Sequence, residues 1–207
     1  MPTGTTLDDG LPLRERKRRR TRAALYEAAM ELFDERPYAD VTVDEICERA
    51  EVGRATFFRF YGTKAALLLE FNRRLTERAR QVVDESAQRD APAKLRILAR
   101  VIADAWAPAS PSVRAMAVEM MHRPETTVGG ESLHPELIEL VTEIVRDGTQ
   151  RHELRGETLP PQFVAAIVVT ALASCVSTWF ESPLGDLHET LQHTVELLLA
   201  GMQRDAR

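Results

Sequence analysis

The chain has little of what metal centres and disulphide-bonded folds require. Two of its 207 residues are cysteines, Cys47 and Cys175, which lie far apart with no C-x-x-C pair. No group of histidines, cysteines and carboxylates has metal-ligand spacing. We therefore expect reduced, structural thiols, no metal and no cofactor. The first six residues form no apolar stretch, so we expect no secretory signal and a cytoplasmic protein.

The motifs of the common enzyme classes are also missing. The sequence has no G-x-S-x-G elbow, no P-loop and no dinucleotide-binding glycine pattern. Its five histidines could act as general bases, but no such motif accompanies them. We predict that the protein is not an enzyme.

Positive charge is scarce overall but concentrated near the start of the chain. The net charge is −5, yet residues 14–22 contain one acid, Glu15, among seven basic residues. This basic run predicts contacts with DNA phosphates or the minor groove, because each neutralised phosphate releases counterions. A solvated basic tail is the alternative. We expect residues 1–13 to form a disordered arm.

Residues 42–61 predict two short helices joined by a tight turn. Thr42 can cap the first helix while Glu45 binds back to the Thr42 amide, which is a capping box. The sequence Glu51-Val52-Gly53 interrupts the helical spacing, and a second helix follows at about Arg54 to Phe60. Two helices with such a turn make a helix-turn-helix.

The second short helix has an outer face suited to DNA. Phe57 and Tyr61 lie four apart and should pack inward, which leaves guanidinium, hydroxyl and aromatic groups outside for bases and phosphates. Lys64 should stand beside the start of the next helix as a second phosphate anchor. The predicted DNA-binding residues are Arg18, Thr42, Arg54, Ala55, Thr56, Phe58, Arg59 and Lys64.

This segment resembles the DNA-binding head of the TetR family of bacterial transcriptional regulators. The family pattern is T-x-x-x-I-A-x-x-A-G-V-S-x-G-T-L-Y-x-x-F-x-x-K-x-x-L, and the chain departs from it mainly at Glu51, Gly53 and Phe58. Glu51 replaces a turn glycine, and a glutamate in a left-handed conformation costs about 1 kcal/mol. Phe58 lacks the tyrosine hydroxyl that often binds a phosphate. The outright matches are Thr42, Ile46, Ala50, Val52, Thr56, Lys64 and Leu67.

Beyond the head, the apolar spacing is helical throughout and prolines punctuate it. We predict an all-α protein of about nine helices. Residues 14–75 form a three-helix DNA-binding domain whose first helix begins near Thr21. Residues 76–207 form a helical domain that, by the resemblance, binds a ligand and dimerises.

The run from Phe163 to Phe180 carries no charge and reaches the lower limit for a membrane span, about 18 residues. Its hydroxyl side chains and the lack of a flanking basic cluster argue against a span and favour a buried helix. The resemblance implies that the last two helices form a homodimer seam, with no membrane contact. The predicted seam residues are Ala171, Leu187, Leu191, Val195 and Leu198.

The resemblance also implies a small-molecule inducer bound in the middle of the chain. Methionine and tryptophan suit an adaptable apolar cavity, although ordinary core packing is the alternative for each candidate. The predicted pocket residues are Trp106, Met116, Met120, Met121, His122, Phe163, Ile167, Cys175 and Trp179. We thus predict a homodimeric repressor that a small apolar ligand releases from a palindromic double-stranded operator. The alternative is a ligand-independent DNA-binding dimer, either a constitutive repressor or an architectural protein.

Overall fold

The computed structural model describes residues 12–121, 134–154, 159–182 and 185–202. Over these residues the chain forms nine α-helices and one short 3₁₀ helix, Tyr38–Asp40, with no strand. This confirms the all-α prediction. The helices are α1 (Leu13–Glu35), α2 (Val43–Arg49), α3 (Arg54–Phe60), α4 (Leu67–Glu85), α5 (Ala91–Trp106), α6 (Pro111–Met121), α7 (Pro135–Gln150), α8 (Pro161–Glu181) and α9 (Leu187–Met202).

The chain divides into two compact units. The head contains the described residues up to Leu67 together with Ser110–Ala117, and the body contains the other described residues. The start of α6 is fixed inside the head, because the Ser112 hydroxyl donates to the Arg36 carbonyl at 2.8 Å. The sequence pattern predicted α6 as a helix, but helical spacing does not say which unit a helix joins.

The first helix is longer than expected. The basic run was predicted to precede a helix that begins at about Thr21, but α1 begins at Leu13. Arginine and lysine are strong helix formers, and Glu15 lies 3.7 Å from Arg18 and 3.8 Å from Arg19 at helical spacings. The basic residues are therefore helical. Residues 1–11 of the predicted arm lie outside the described residues.

Apolar side chains from α1 and from both helices of the helix-turn-helix fill the core of the head. Leu25 of α1, Ile46 of α2 and Phe57 of α3 are each fully buried. Burying such a side chain contributes roughly 1.5–3 kcal/mol. A helix as short as α3 is unstable alone, so this packing is what holds it in place.

The body is built around α8. This helix packs against α7 and α9, and both of those pack against α5. Its inner stripe of Ala165, Val168, Leu172 and Val176 is buried. By length and mean hydropathy, 2.0, α8 could also cross a membrane, which is weak evidence because core helices of soluble proteins pass the same test.

The opposite face of α8 is exposed and partly apolar. Phe163 and Ile167 are 60% and 51% exposed, and Thr170 and Ser174 continue the same stripe. The predicted seam needs correction on α9. Leu187, Leu191 and Val195 are at most 1% exposed, because they face the body's own core, so they have no surface left for a partner. Ala171 and Leu198 remain partly exposed.

Candidate nucleic-acid interface

Helix α3 is held from below by two aromatic rings and shows its other side to solvent. Phe57 and Tyr61 are buried with ring centroids 5.5 Å apart. The Tyr61 hydroxyl donates to the Arg22 carbonyl at 2.9 Å, which fixes α3 against α1. Among the predicted DNA-binding residues, Thr56 is half-buried, while Arg54, Ala55, Phe58 and Arg59 are exposed.

The preceding helix begins with the predicted capping box. The Thr42 hydroxyl accepts from the Glu45 amide at 3.2 Å, and Glu45 accepts from the Thr42 amide at 2.8 Å. The Arg36 guanidinium donates to Glu45 at 2.8 Å. This bond, the one from the Thr42 amide and a third that the Thr42 hydroxyl donates to the Glu45 carboxylate at 2.8 Å lower the pKa of Glu45 to about 2. Thr42 is therefore engaged in holding α2 as well as being a DNA-binding candidate.

The turn between α2 and α3 carries the strain expected at Glu51. This residue has a φ of 53°, in the left-handed region that favours glycine. Gly53 then precedes α3 with no side-chain cap. The departures from the family pattern therefore change the local energetics of the turn, while the helix-turn-helix itself forms.

A buried thiol lies close to this turn. Cys47 of α2 is 6% exposed and free. Burial raises its pKa, the negative charge of Asp44 adds to the rise, and Arg54 opposes it. Because the thiolate is the reactive form of cysteine, Cys47 is an inert packing group.

Lys64 is held inside the head. Its Nζ donates to the carbonyls of Tyr38 and Val41 at 2.5 and 2.7 Å and lies 4.0 Å from the centroid of the Tyr38 ring. The expectation that α4 opens at Lys64 was wrong, since α4 begins at Leu67. Lys64 therefore braces the 3₁₀ turn and does not stand at a helix start.

Arg54, the first residue of α3, is paired with an acid on α2. Its Nη1 donates to both carboxylate oxygens of Asp44, at 2.7 and 2.6 Å. The guanidinium also lies 5.4 Å from the centroid of the Phe58 ring, one helical turn along α3. Both partners of the ion pair are more than 60% exposed, so the pair stands on the solvent-exposed surface of the head.

A groove of about 1020 Å³ runs between the start of α1 and the turn leading into α3. One wall is a single stripe of α1, in which Arg14, Lys17, Arg18 and Thr21 recur at helical spacing. The other side carries Thr56, Arg59 and Phe60 of α3 together with residues 51–53 of the turn. The two walls bring four cationic side chains, Arg14, Lys17, Arg18 and Arg59, to one groove.

The cationic stripe of α1 continues an apolar one. Further along α1, the same helical face carries Leu25, Ala28 and Leu32, which are buried in the head. A face that changes from leucine to arginine turns from packing against protein to attracting anions. The whole basic run was predicted to contact DNA, but of the groove residues of α1 only Arg18 was singled out as a DNA-binding residue. The spacing of the others was visible in the sequence. Residues can be assigned to one face only where a helix is predicted, and no helix was predicted before about Thr21.

The predicted ligand-pocket residues that the structure describes in the body differ in burial. Trp106 is buried in the body, where its ring packs between Phe71 and Phe180 in tilted and edge-on contacts, at centroid distances of 4.3 and 5.1 Å. Cys175 and Trp179 are half-buried on α8 and bond Thr194 and the Gly185 carbonyl. Two residues are wrong for a pocket, since Phe163 and Ile167 point to solvent.

The remaining pocket candidates are divided between the head and the undescribed part of the chain. Met116 is fully buried in the head. His122 and the side chains of Met120 and Met121 lie outside the described residues. Phe71 and Phe180, the partners of Trp106, were not predicted. Their only signal was their place on apolar helix faces, which any core residue shares.

Two family models match the chain. The model described as bacterial regulatory proteins, tetR family, matches residues 25–71, and the model described as MftR C-terminal domain matches residues 135–203. The first match covers part of the head and the start of α4, and the second covers α7 to α9.

Curated relatives match over part of the chain. The HTH-type transcriptional regulator TcmR of Streptomyces glaucescens is 41% identical over 68 residues, which is 33% of this chain and 30% of the relative. The uncharacterized HTH-type transcriptional regulator YdeS of Bacillus subtilis (strain 168) is 40% identical over 50 residues, 24% of this chain and 25% of the relative. The chain thus spans less than a third of either relative's length.

A solved structure is similar over nearly the whole chain. FadR of Thermus thermophilus, a TetR family transcriptional repressor in complex with lauroyl-CoA, is 28% identical with a TM-score of 0.73. The similarity covers 90% of this chain and 97% of that one.

Proposed function

Because the chain belongs to the TetR family of bacterial transcriptional regulators, we propose that it is a homodimeric repressor that binds a palindromic operator and is released by a small molecule. The outward face of α3 carries this proposal, since its exposed Arg54, Phe58 and Arg59 are groups that contact bases and phosphates. Two heads on one dimer would read two half-sites about 34–36 Å apart, or a multiple of that.

In this proposal the groove between α1 and α3 takes the DNA backbone. Its lining carries four cationic side chains and two hydroxyls against two acids, Glu15 and Glu51, and this excess of positive charge suits phosphates. A helix also fits the minor groove poorly, because that groove is only about 6 Å wide. We therefore assign α1 to phosphates and α3 to bases.

The test is selection of bound genomic fragments by the purified protein at moderate salt. A short inverted repeat recovered upstream of a few genes would support a site-specific dimeric regulator. The Arg59→Ala variant is the matched probe of the reading face, and we expect it to lose about 1–3 kcal/mol on the recovered site. Recovery of fragments without a shared sequence would instead favour an architectural protein.

We propose that the dimer forms through the exposed stripe of α8. Phe163 and Ile167 give this stripe an apolar end, and the small hydroxyl residues Thr170 and Ser174 allow close approach of a second helix. Ile167→Glu should then yield a monomer in light scattering. Leu69→Glu, which replaces a comparably exposed leucine of α4 (40%), is the control and should stay dimeric. A dimeric Ile167→Glu protein would contradict the assignment.

The ligand we propose is an acyl thioester of coenzyme A. The support is the likeness to the lauroyl-CoA complex of the Thermus thermophilus repressor, together with the aromatic cluster of Phe71, Trp106 and Phe180 in the body. An acyl chain offers apolar surface of the kind such a cluster buries.

Melting curves with lauroyl-CoA, free coenzyme A and laurate test this ligand. A compound that binds only the native state raises the melting temperature, by an amount that grows with its concentration. Lauroyl-CoA should raise it and also release the operator, whereas coenzyme A should do neither. No shift with acyl chains of any length would favour the ligand-independent dimer.

Regulators of this family are typically soluble and cytoplasmic. We propose the same location for this chain, with α8 as a core and interface helix. Fractionation of cells that express the full chain should recover it with the soluble proteins, and recovery with membranes would overturn this.

A further inference from the structure

In the ion pair of Asp44 and Arg54, only part of the Arg54 guanidinium binds protein, and the rest faces solvent. Asp44 takes only Nη1, through both of its oxygens. Within the described part of the chain, Nε and Nη2 of Arg54 have no hydrogen-bond partner. The Phe58 ring lies on the same guanidinium at 5.4 Å from its centroid, within the range of a cation–π contact. The side chain is thus held at two places while two adjacent donors stay open.

We propose that Asp44 is a positioning residue that fixes Arg54 for bidentate recognition of a guanine. The inference rests on the proposed function, because it needs DNA in contact with α3. Arginine donating two parallel bonds to O6 and N7 of guanine is the commonest specific contact in the major groove. Two donors of a guanidinium suffice for that contact, and Arg54 keeps two open. Arginine otherwise loses much rotamer freedom on binding, and a side chain already held loses less.

An acid at position 44 is expected to weaken DNA binding, so its presence there calls for a compensating role. Asp44 lies in the first turn of α2, where the helix dipole favours a negative charge. Its carboxylate nevertheless stands on the surface that meets DNA phosphates and repels them. Two opposite effects are therefore expected from one residue. Asp44 lowers the affinity for every sequence by repulsion and raises the affinity for the right sequence by positioning Arg54.

The experiment measures these two opposite effects of Asp44 on DNA affinity separately. The binding of Asp44→Ala is compared with wild type on two duplexes, the inverted repeat recovered most often from genomic selection and a scrambled duplex of equal composition. Asp44→Ala should bind the scrambled duplex more tightly and the repeat less tightly. The ratio of the two affinities should fall by about 2- to 5-fold, the strength of an exposed ion pair.

Three further variants separate positioning from charge. Arg54→Ala should lower the same ratio by about 5- to 150-fold, and adding Asp44→Ala to it should change the ratio little. Asp44→Asn keeps an acceptor for Nη1 and should retain the ratio within about 2-fold while still binding scrambled DNA more tightly. Glu48→Ala removes an exposed acid from the same helix, which forms no ion pair among the described residues, and should leave the ratio unchanged.

The outcomes are distinct. If Asp44→Ala raises both affinities equally, Asp44 only repels DNA and the inference is overturned. If both affinities fall together with the melting temperature, Asp44 only supports the fold, which also overturns it. A wild-type protein with no preference for the repeat would overturn the proposed function itself, and that result is seen before any variant is made.

Discussion

The faces of the α1 extension give the sharpest test of how the head binds DNA. The inner face lines the groove, and the outer face lies about half a helical turn away. Replacing the three basic residues of either face by glutamine changes the charge of the chain by the same amount. Glutamine is close to arginine and lysine in helix propensity. The inner variant is Arg14→Gln, Lys17→Gln, Arg18→Gln, and the outer variant is Arg16→Gln, Arg19→Gln, Arg20→Gln.

The two variants also lose the same number of ion pairs. Glu15 is paired with Arg18 on the inner face and with Arg19 on the outer face, at 3.7 and 3.8 Å. Each variant therefore loses one of the two ion pairs of Glu15. Such exposed pairs contribute about 0–1 kcal/mol, so the loss of ion pairs costs both variants about the same stability. The outer variant also loses the packing of Arg16, which is half-buried, so its melting temperature should be the lower of the two.

The expected difference lies in the salt dependence of DNA binding. Each phosphate contact contributes about 0.9 to the slope of log affinity against log salt, so three contacts contribute about 2.7. Between 50 and 200 mM salt, a slope difference of about 2.7 corresponds to about a 40-fold difference in affinity loss. Wild type should lose about 40-fold more affinity over that range than the inner variant. The outer variant should follow wild type.

Fluorescence anisotropy on the repeat and on scrambled DNA at four salt concentrations measures both slopes. The inner variant should have the smaller slope on both duplexes, because phosphates carry no sequence information. Equal slopes for the inner and outer variants would refute the groove assignment, since a solvated basic helix attracts DNA from any side. A slope change confined to the repeat would refute the phosphate assignment.

Three further predictions concern the stability of the head. Glu51→Gly should relieve the strain of a left-handed glutamate and raise the melting temperature by roughly 2–4 °C, for a gain of up to about 1 kcal/mol; Glu51→Ala removes the charge but keeps the strain, and an equal gain in that variant would contradict the argument. The pKa of Glu45, about 2, lies below its ordinary value of 4.5, so its contribution to stability is present above about pH 4.5 and is lost as the pH falls toward 2. Glu45→Gln should therefore show weaker acid destabilisation than wild type in urea titrations between pH 6 and 3, and identical pH profiles would refute this. Lys64→Met leaves two carbonyls without their ammonium donor and should destabilise the protein by about 1–3 kcal/mol; a variant with an unchanged melting temperature and weaker DNA binding would return Lys64 to the phosphate role.

The helix-turn-helix could be predicted closely because its signals are local. The capping box of Thr42 and Glu45 depends on residues three apart, and it is present in the structure. The strain at Glu51 followed from one residue type at one turn position. Helix existence in the body was also predictable, since apolar spacing alone reports it.

What failed depends on contacts between residues distant in the sequence. Lys64 was expected to point at a phosphate, but its ammonium binds carbonyls more than twenty residues earlier in the chain, at Tyr38 and Val41. The inner stripe of α9, with Leu191, is apolar whether it meets a partner or its own core, so the sequence could not assign it. For the same reason, the pattern of apolar residues could not show that the ring cluster around Trp106 is buried while Ile167 is exposed.

Several acids lie beside the basic residues of the proposed DNA-binding surface. Glu15 pairs with Arg18 on α1, Asp44 pairs with Arg54, and Glu51 lies in the groove opposite the α1 stripe. Each acid lowers attraction to phosphates, the part of binding that is the same for all sequences. A genome offers a vast excess of nonspecific sites, so a regulator gains more from the ratio of specific to nonspecific affinity than from affinity alone. Removing Glu51 should accordingly raise affinity for scrambled and operator DNA alike, whereas removing Asp44 should raise only the former. That contrast, measured with Glu51→Ala and Asp44→Ala on the same two duplexes, separates an acid that only weakens binding from one that also directs it.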